Sequence, residues 1–233
     1  MSGAPKRKMG YYTIEPEGIE LPSVTTVLKV IAKPALMNWY AKQGALAVLT
    51  DPVKYDTPEK AAAAIYQVGD VAMKRGSDAH TLAEIYGCAL ADGIVDVSEM
   101  KSDNPYFASI KAFFERMRPE ILHTEVRLVN MEQGYAGTAD LIAKVGPKTY
   151  VIDYKTSKGV FPEMKLQVEA YRQSTMIILQ NGTRIPQYPI ADAGAVVLFR
   201  TDGTFAWQET SADHTAFLAA KILFHWAEAQ NAL

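Results

Sequence analysis

One cysteine, Cys88, stands among 233 residues. That scarcity excludes a disulfide framework or a four-cysteine metal cluster within a single chain, and a reducing, cytoplasmic setting is the expectation that follows. Charge of one sign is also missing. The 24 Lys and Arg against 26 Asp and Glu leave a formal net charge of −2, which excludes a generally basic coat and confines any polyanion to a local patch. No apolar run approaches the ~18 residues of a membrane span, and the N-terminus carries no hydrophobic leader core, so no membrane partner is expected. No Gly-x-x-x-x-Gly-Lys segment is present, so no phosphate-cradling motor loop is fused to the chain. With 48% hydrophobic and 21% charged residues the remainder is ordinary for a globular chain, long enough to bury a sizeable core without cross-links.

The first half reads mainly as helix and the second changes period. "PKRKMG" looks like a loose basic start, and "LPSVTTVLKVI" is β-branched enough to be strand or helix. "KPALMNWYAKQGALAVL" is helical in spacing. "EKAAAAIYQVGDVAMKRGSDAHTLAEIYGCALA" predicts a long helix broken near Gly69 or Gly76, and "NPYFASIKAFFERMRPE" a further one ending around Pro119. "TEVRLVN", "GTADLIAKV" and "TYVIDYKT" then alternate in twos, as strands do. A helix opened by Pro162 follows over "PEMKLQVEAYRQSTMIIL", then a hairpin of "AGAVVLFR" and "TFAWQET", and a last amphipathic helix with Ser211 as its expected N-cap.

The stretch "GTADLIAKVGPKTYVIDYKTS", residues 137–157, raises a specific question, because Asp140, Asp153 and Lys155 lie inside apolar strands. Asp153 and Lys155 share a face. With Gly146-Pro147 as a two-residue loop, Val145 pairs with Lys148 and Asp140 falls opposite Asp153, roughly 5 Å away. Like charges so placed are destabilising unless a cation lies between them. An oxygen-rich pair suits Mg²⁺ or Mn²⁺ better than zinc, and the Tyr154 backbone carbonyl adds a candidate ligand. Lys155 beside such an ion can hold or deprotonate a water whose pKa the metal lowers. A hairpin with a solvated polar face and a surface Asp–Lys pair, worth less than ~1 kcal/mol, accounts for the same residues equally well.

Gly137-Thr138-Ala139-Asp140, followed thirteen residues on by Asp153-Tyr154-Lys155-Thr156, resembles the core of the PD-(D/E)XK nuclease superfamily. More narrowly it resembles the RecB-like branch, with its phage-type and mitochondrial genome-maintenance exonucleases. "RGSDAH" is similar to that branch's upstream histidine segment, with Ser77 in place of threonine, and the resemblance makes His80 a metal ligand. By itself His80 reads as a helix-surface residue pairing with Glu84 at i+4. Gln167 and Tyr171, four apart on one helical face, match a Gln-x-x-x-Tyr pair that contacts nucleic acid or positions the catalytic lysine. Alone they read as a partly buried tyrosine with a polar neighbour. Glu125 matches a strand glutamate near the metal, and it reads as well as a solvated strand residue. "LPSVTTVL" with "KPALMNW" resembles the opening of phage-type members, which would bring Ser23, Thr25 and Thr26 near phosphates; packing of the first helix explains the segment at least as well. The proline of the "PD" signature is replaced by Ala139.

The resemblance implies a single nuclease domain over 1–233, with 1–20 flexible, 21–120 a helical layer and 121–233 an α/β core of restriction-endonuclease type (αβββαββ). It implies a DNA exonuclease with one or two Mg²⁺ or Mn²⁺ ions and no iron–sulfur cluster. His80, Asp140, Asp153 and the Tyr154 carbonyl are then the metal ligands, with Glu125 a further candidate, and Lys155, Asp140 and Asp153 the catalytic set. Water attacks the phosphorus in line and the 3′-oxygen leaves, so products carry 5′-phosphates. Thr156, Ser157, Lys158 and Lys165 are placed for phosphates, Arg75, Ser77 and Arg172 for local contacts to DNA, and Tyr11, Tyr12, Trp39 and Tyr40 for stacking on unpaired bases, although core packing suits Trp39 better. By fold-level analogy the helical layer would arch over the site and admit only a free end. The alternatives are an endonuclease of the same fold and a non-catalytic DNA-binding accessory protein. The setting would be phage or bacterial recombination, repair or replication, with a single-strand-binding or recombinase protein as partner. Asp140→Asn is expected to raise thermal stability by relieving like-charge repulsion.

Overall fold

Tyr11-Tyr12-Thr13-Ile14 and Ile19-Glu20-Leu21-Pro22 flank a turn and pair as strands. In the computed structural model, which describes residues 7–93, 97 and 100–231, β1 (Arg7–Lys8), β2 (Tyr11–Ile14) and β3 (Ile19–Pro22) form a small antiparallel sheet. Residues 7–20, expected to be loose, are therefore held by a ladder, while the expectation for residues 1–6 lies outside the described residues. "SVTTVLKV" resolves as helix rather than strand. Ser23 caps α1 (Val24–Val27) by accepting the Thr26 N–H at 3.0 Å, and a 3₁₀ turn runs on from Leu28 to Val30.

The described chain forms two compact units, Met1–Ile31 with His80–Leu233, and Ala32–Ala79, where the sequence reads as a single domain. In the second unit α2 (Pro34–Thr50) opens on a proline at its first turn. The expected break near Gly69 or Gly76 does not occur: α3 is one helix, Pro58–Asp92. Each mid-helix glycine costs about 1 kcal/mol against alanine, but at Gly69 a Cβ would come within 3.2 Å of the Tyr40 ring, so the missing side chain lets α2 and α3 approach.

In the larger unit α4 (Phe107–Met117) ends at Arg118, which adopts the left-handed conformation at φ 44°. Then come β4 (Glu120–Asn130), β5 (Tyr135–Val145), β6 (Lys148–Lys155), α5 (Pro162–Arg172), β7 (Met176–Ile178), β8 (Arg184–Pro186), β9 (Ala193–Phe199), β10 (Phe205–Thr210) and α6 (His214–Asn231). The sequence reading ran α5 on through Leu179; the helix stops at Arg172, and Met176–Ile178 instead pairs with β4. The cap of α6 is also corrected. Asp213, not Ser211, accepts the Thr215 N–H at 2.8 Å.

Seven strands form one mixed sheet in the order β10-β9-β6-β5-β4-β7-β8, parallel only between β6 and β9. Alternation on β6 sorts its side chains. Val151 joins a core with Val24, Leu128, Ala170, Tyr171 and Phe217, beneath α1, α5 and α6. Tyr154 points the other way, into a ring cluster with Phe113 and Phe199. Each such fully buried ring stabilises by roughly 2–3 kcal/mol. The small sheet packs on the main one through Tyr12, Ile14 and Leu21 against Val129, Ala136 and Ile178. The result is a mixed α/β fold with a helix-flanked sheet. Among the described residues no helix is long and apolar enough to cross a membrane.

Candidate metal centre

The Gly146 turn, at φ 60°, sets Val145 against Lys148 as the sequence predicts. Continued from there, the register brings Asp140 level with Asp153. The β5–β6 ladder ends at Leu141–Ile152, one step short of that pair, whereas β6 stays paired with β9 as far as Lys155–Leu198. Past Leu141 the two strands part, and Asp140, Asp153 and Lys155 line the opening. In place of a ladder bond, the Tyr154 N–H donates to Asp140 Oδ2 at 2.6 Å. Tyr154 thus touches the site through its amide.

A second irregularity adds a third carboxylate. On β4 the pairs Thr124–Leu141 and Val126–Ala139 flank Glu125, which the same register sets against Asp140. Glu125 has φ 44°, a left-handed backbone that costs a non-glycine residue ~1–3 kcal/mol. Glu125, Asp140 and Asp153 therefore follow one another across three neighbouring strands.

From α3, His80 Nδ1 lies 3.2 Å from Asp140 Oδ1, and its ring stands edge-on to Tyr154. His80, Glu125 and Asp140 each offer one ligand atom, all within 4.8 Å of one another. One imidazole nitrogen and two carboxylate oxygens are a donor set that Mg²⁺ or Mn²⁺ accepts. This trio differs from the sequence reading in two ways. His80 pairs with Asp140 rather than with Glu84, and Glu125 takes the place given to Asp153. Asp153, 2% exposed, stands beside the trio with its oxygens engaged: Oδ1 accepts from Gln167 Nε2 at 2.8 Å and Oδ2 is ion-paired with the Lys155 ammonium. Oδ2 takes no hydrogen bond of good geometry, so this buried carboxylate oxygen keeps coordinating capacity.

The electrostatics match a cation site. Burial and the neighbouring Asp140 and Glu84 carboxylates push Glu125 up to about 7. Burial opposes the Asp140 anion, but the His80 hydrogen bond and charge, Lys155 and the Tyr154 amide together hold its carboxyl below the usual range. Burial also disfavours the His80 cation, yet Asp140 outweighs it and His80 is raised. Asp153 is pushed up, by burial first and then by Asp140, against the pull of Lys155. Two raised carboxylates, Glu125 and Asp153, flanking the ionised Asp140 are what a divalent ion would relieve.

Gln167 Nε2 also lies 3.1 Å from the Tyr171 hydroxyl, so this helical pair faces the opening from α5. Thr156 and Ser157 are half-buried just beyond β6, with Ser157 Oγ donating to the Gly159 carbonyl at 2.8 Å, and Lys158 is exposed. Arg75 and Ser77 are exposed on the part of α3 within the second unit. Other expected DNA contacts are engaged elsewhere: Arg172 grips Glu169, the Tyr11 hydroxyl meets Glu228, and Trp39 packs edge-on to Tyr40. Ser23, Thr25 and Thr26 hydrogen-bond among themselves around the α1 cap. Glu84, read from the sequence only as a surface partner of His80 at i+4, instead acts through its charge on Glu125. Tyr12, expected to stack on bases, packs instead against Val129 and Ile178, with its hydroxyl 2.9 Å from that of Thr138.

No family model and no curated protein matches this chain. Among solved structures, one described as "Crystal structure of SSO0001" is similar with a TM-score of 0.37 and 17% identity, covering 88% of this chain and 75% of that one. The chemistry of the site is therefore read from its own atoms.

Proposed function

We propose that the chain is a divalent-metal-dependent nuclease with a restriction-endonuclease-like core, acting as an exonuclease on DNA and leaving 5′-phosphates. The observation that carries this reading is the gap between β5 and β6, where a nitrogen–oxygen–oxygen set, half-buried at His80 and Glu125 and buried at Asp140, stands beside a lysine that is two residues past a second buried carboxylate. A structural ion pair needs no such convergence, since burying several like charges costs more than it returns.

His80, Glu125 and Asp140 would hold the ion, with Asp153 Oδ2 adjacent. When bound, Mg²⁺ or Mn²⁺ supplies Lewis-acid polarisation of a phosphoryl oxygen and a lowered pKa for water. Lys155, positioned by Asp153, orients the attacking water and offsets negative charge developing on the phosphoryl oxygens. Gln167 fixes Asp153 and so the ammonium. The 5′-phosphate product follows if the water adds to phosphorus as the 3′-oxygen leaves. Exonuclease rather than endonuclease action is favoured by the sequence resemblance to chain-end-processing enzymes.

The test is a time course on end-labelled linear and circular DNA, single- and double-stranded, with Mg²⁺, Mn²⁺ or EDTA, run beside Lys155→Ala. The expected result is metal-dependent release of 5′-nucleotides from linear DNA while circles persist. Cut circles would shift the reading to an endonuclease. Absence of metal-dependent turnover on every substrate would overturn catalysis and leave a DNA-binding accessory role.

A further inference from the structure

Among the described residues, a guanidinium near the metal centre has no ion-pair partner and one nitrogen without a hydrogen bond. Arg127 lies on β4, two residues beyond Glu125, between Thr138 of β5 and Ile178 of β7. It is half-buried, and its Nη1 is sealed from solvent without a hydrogen bond. Among the described residues no carboxylate ion-pairs with it, Glu125 included. An uncompensated cation held partly out of water is costly. Two other half-buried arginines do find anions, Arg172 in Glu169 and Arg184 in Glu17.

The cross-strand position beside Arg127 on β5 holds a hydroxyl and not a carboxylate. Thr138, its cross-strand neighbour, hydrogen-bonds the Tyr12 hydroxyl at 2.9 Å. One guanidinium and a hydroxyl pair that spends one O–H on its own bond make a patch suited to a phosphate, which takes charge-assisted bonds from arginine and a neutral one from Thr138 or Tyr12. Two residues of strand separate this patch from the Glu125–Asp140 row by about 7 Å.

We infer that Arg127, with the Thr138 and Tyr12 hydroxyls, seats a backbone phosphate of the DNA strand next to the one held at the metal centre. The identity of the anion rests on the nuclease reading. The competing account is structural, in which the Arg127 stem covers apolar surface beside Ile178 and its charge has no ligand.

Binding of a fluorescent single-stranded oligonucleotide, followed by anisotropy across a salt series with Mg²⁺, separates the two. The parent is full-length Lys155→Ala, compared with the same protein carrying Arg127→Gln or Arg127→Lys. Arg127→Gln should bind about tenfold more weakly and flatten the dependence of log K on log salt by about 0.7, the value for one phosphate contact on a single strand. Arg127→Lys should keep the parental slope. Melting temperature supplies the second readout: Arg127→Gln should melt at the parental temperature or above it, because an unpaired cation has been removed. Parental affinity and slope in Arg127→Gln, or a lowered melting temperature, overturns the inference.

Cleavage by the protein with Lys155 intact is measured alongside. Turnover with Arg127-independent binding sinks the phosphate seat and spares the nuclease. Arg127-dependent binding without turnover does the reverse.

Discussion

Gln167 of α5 and Asp153 of β6 are joined by a 2.8 Å hydrogen bond from Nε2 to Oδ1, and the same amide reaches the Tyr171 hydroxyl. The helix thereby fixes the carboxylate that holds Lys155. Gln167→Ala should lower kcat about 10–100-fold, the usual scale for groups that orient a site, with KM for DNA little changed. Steady-state kinetics decide it. A rise in KM at constant kcat would mean that Gln167 binds the strand and does not position Asp153.

Lys155→Ala removes the ammonium from the Asp153 pair. Turnover should fall by about 10²–10⁴-fold, because the group acts on the transition state more than on the bound substrate. Divalent-ion affinity, measured by calorimetry, should stay near that of the unmodified protein, since the trio of His80, Glu125 and Asp140 is untouched.

Glu125 gives the site a pH signature. Its folded-state pKa, about 7, lies above the ordinary 4.5, so the folded protein binds this proton more tightly than the unfolded chain. The stability it contributes is present below about pH 4.5 and is lost as pH rises through 7. His80, also raised, acts in the same direction through neutrality, whereas Asp140, lowered, contributes stability that is lost only at acid pH. Metal-free protein should therefore melt lower at pH 8 than at pH 6. Glu125→Gln should raise the melting temperature at pH 8 by about 2–4 °C, the shift for roughly 1 kcal/mol in a chain of this size. Metal must displace the same protons, so ion affinity should climb between pH 6 and 8 and flatten in the variant. A pH-independent melting temperature would contradict the carboxylate cluster.

Asp140→Asn reverses an expectation drawn from the sequence. Opposed carboxylates suggest that neutralising one would stabilise the fold. In the structure Asp140 accepts the Tyr154 N–H and faces His80, and its surroundings favour the anion. An amide offers one acceptor where two donors converge. The substitution should cost about 1–3 kcal/mol, seen as a lower melting temperature in denaturation scans of metal-free protein, and should weaken ion binding.

Gly137→Ala tests the packing behind the site. A Cβ there would come within 2.3 Å of Tyr171 Cε1, so the ring must move. Overpacking of this kind costs about 1–3 kcal/mol. Because the ring hydroxyl is tied to Gln167, activity should drop with stability, and Tyr171→Phe in the same background should not restore it.

How far the sequence foretold this differs from element to element. The β5–β6 hairpin was legible because a Gly-Pro turn fixes register, and a one-step error would have sent every side chain to the opposite face. The site depends on where that ladder stops, and stopping is a tertiary event that alternation cannot encode. The end of α5 was obscured because Met176, Ile177 and Ile178 continue an apolar composition that a helix and a buried strand share. Gly69 and Gly76 of α3 suggested a break, but Gly69 admits the Tyr40 ring. Glu125 read equally well as a metal-site residue and as a solvated one, because its left-handed backbone leaves no mark in the residue type.

The parallel pairing of β6 with β9 bears on how the chain is made. β6 carries Asp153 and Lys155, yet its partner on that side arrives only after α5, β7 and β8 have left the ribosome. Until Ala193–Phe199 emerges, β6 is an open edge, apolar and able to recruit another chain. Premature stops between Arg172 and Ala193 should yield insoluble fragments even though every residue of the reactive centre has already been synthesised.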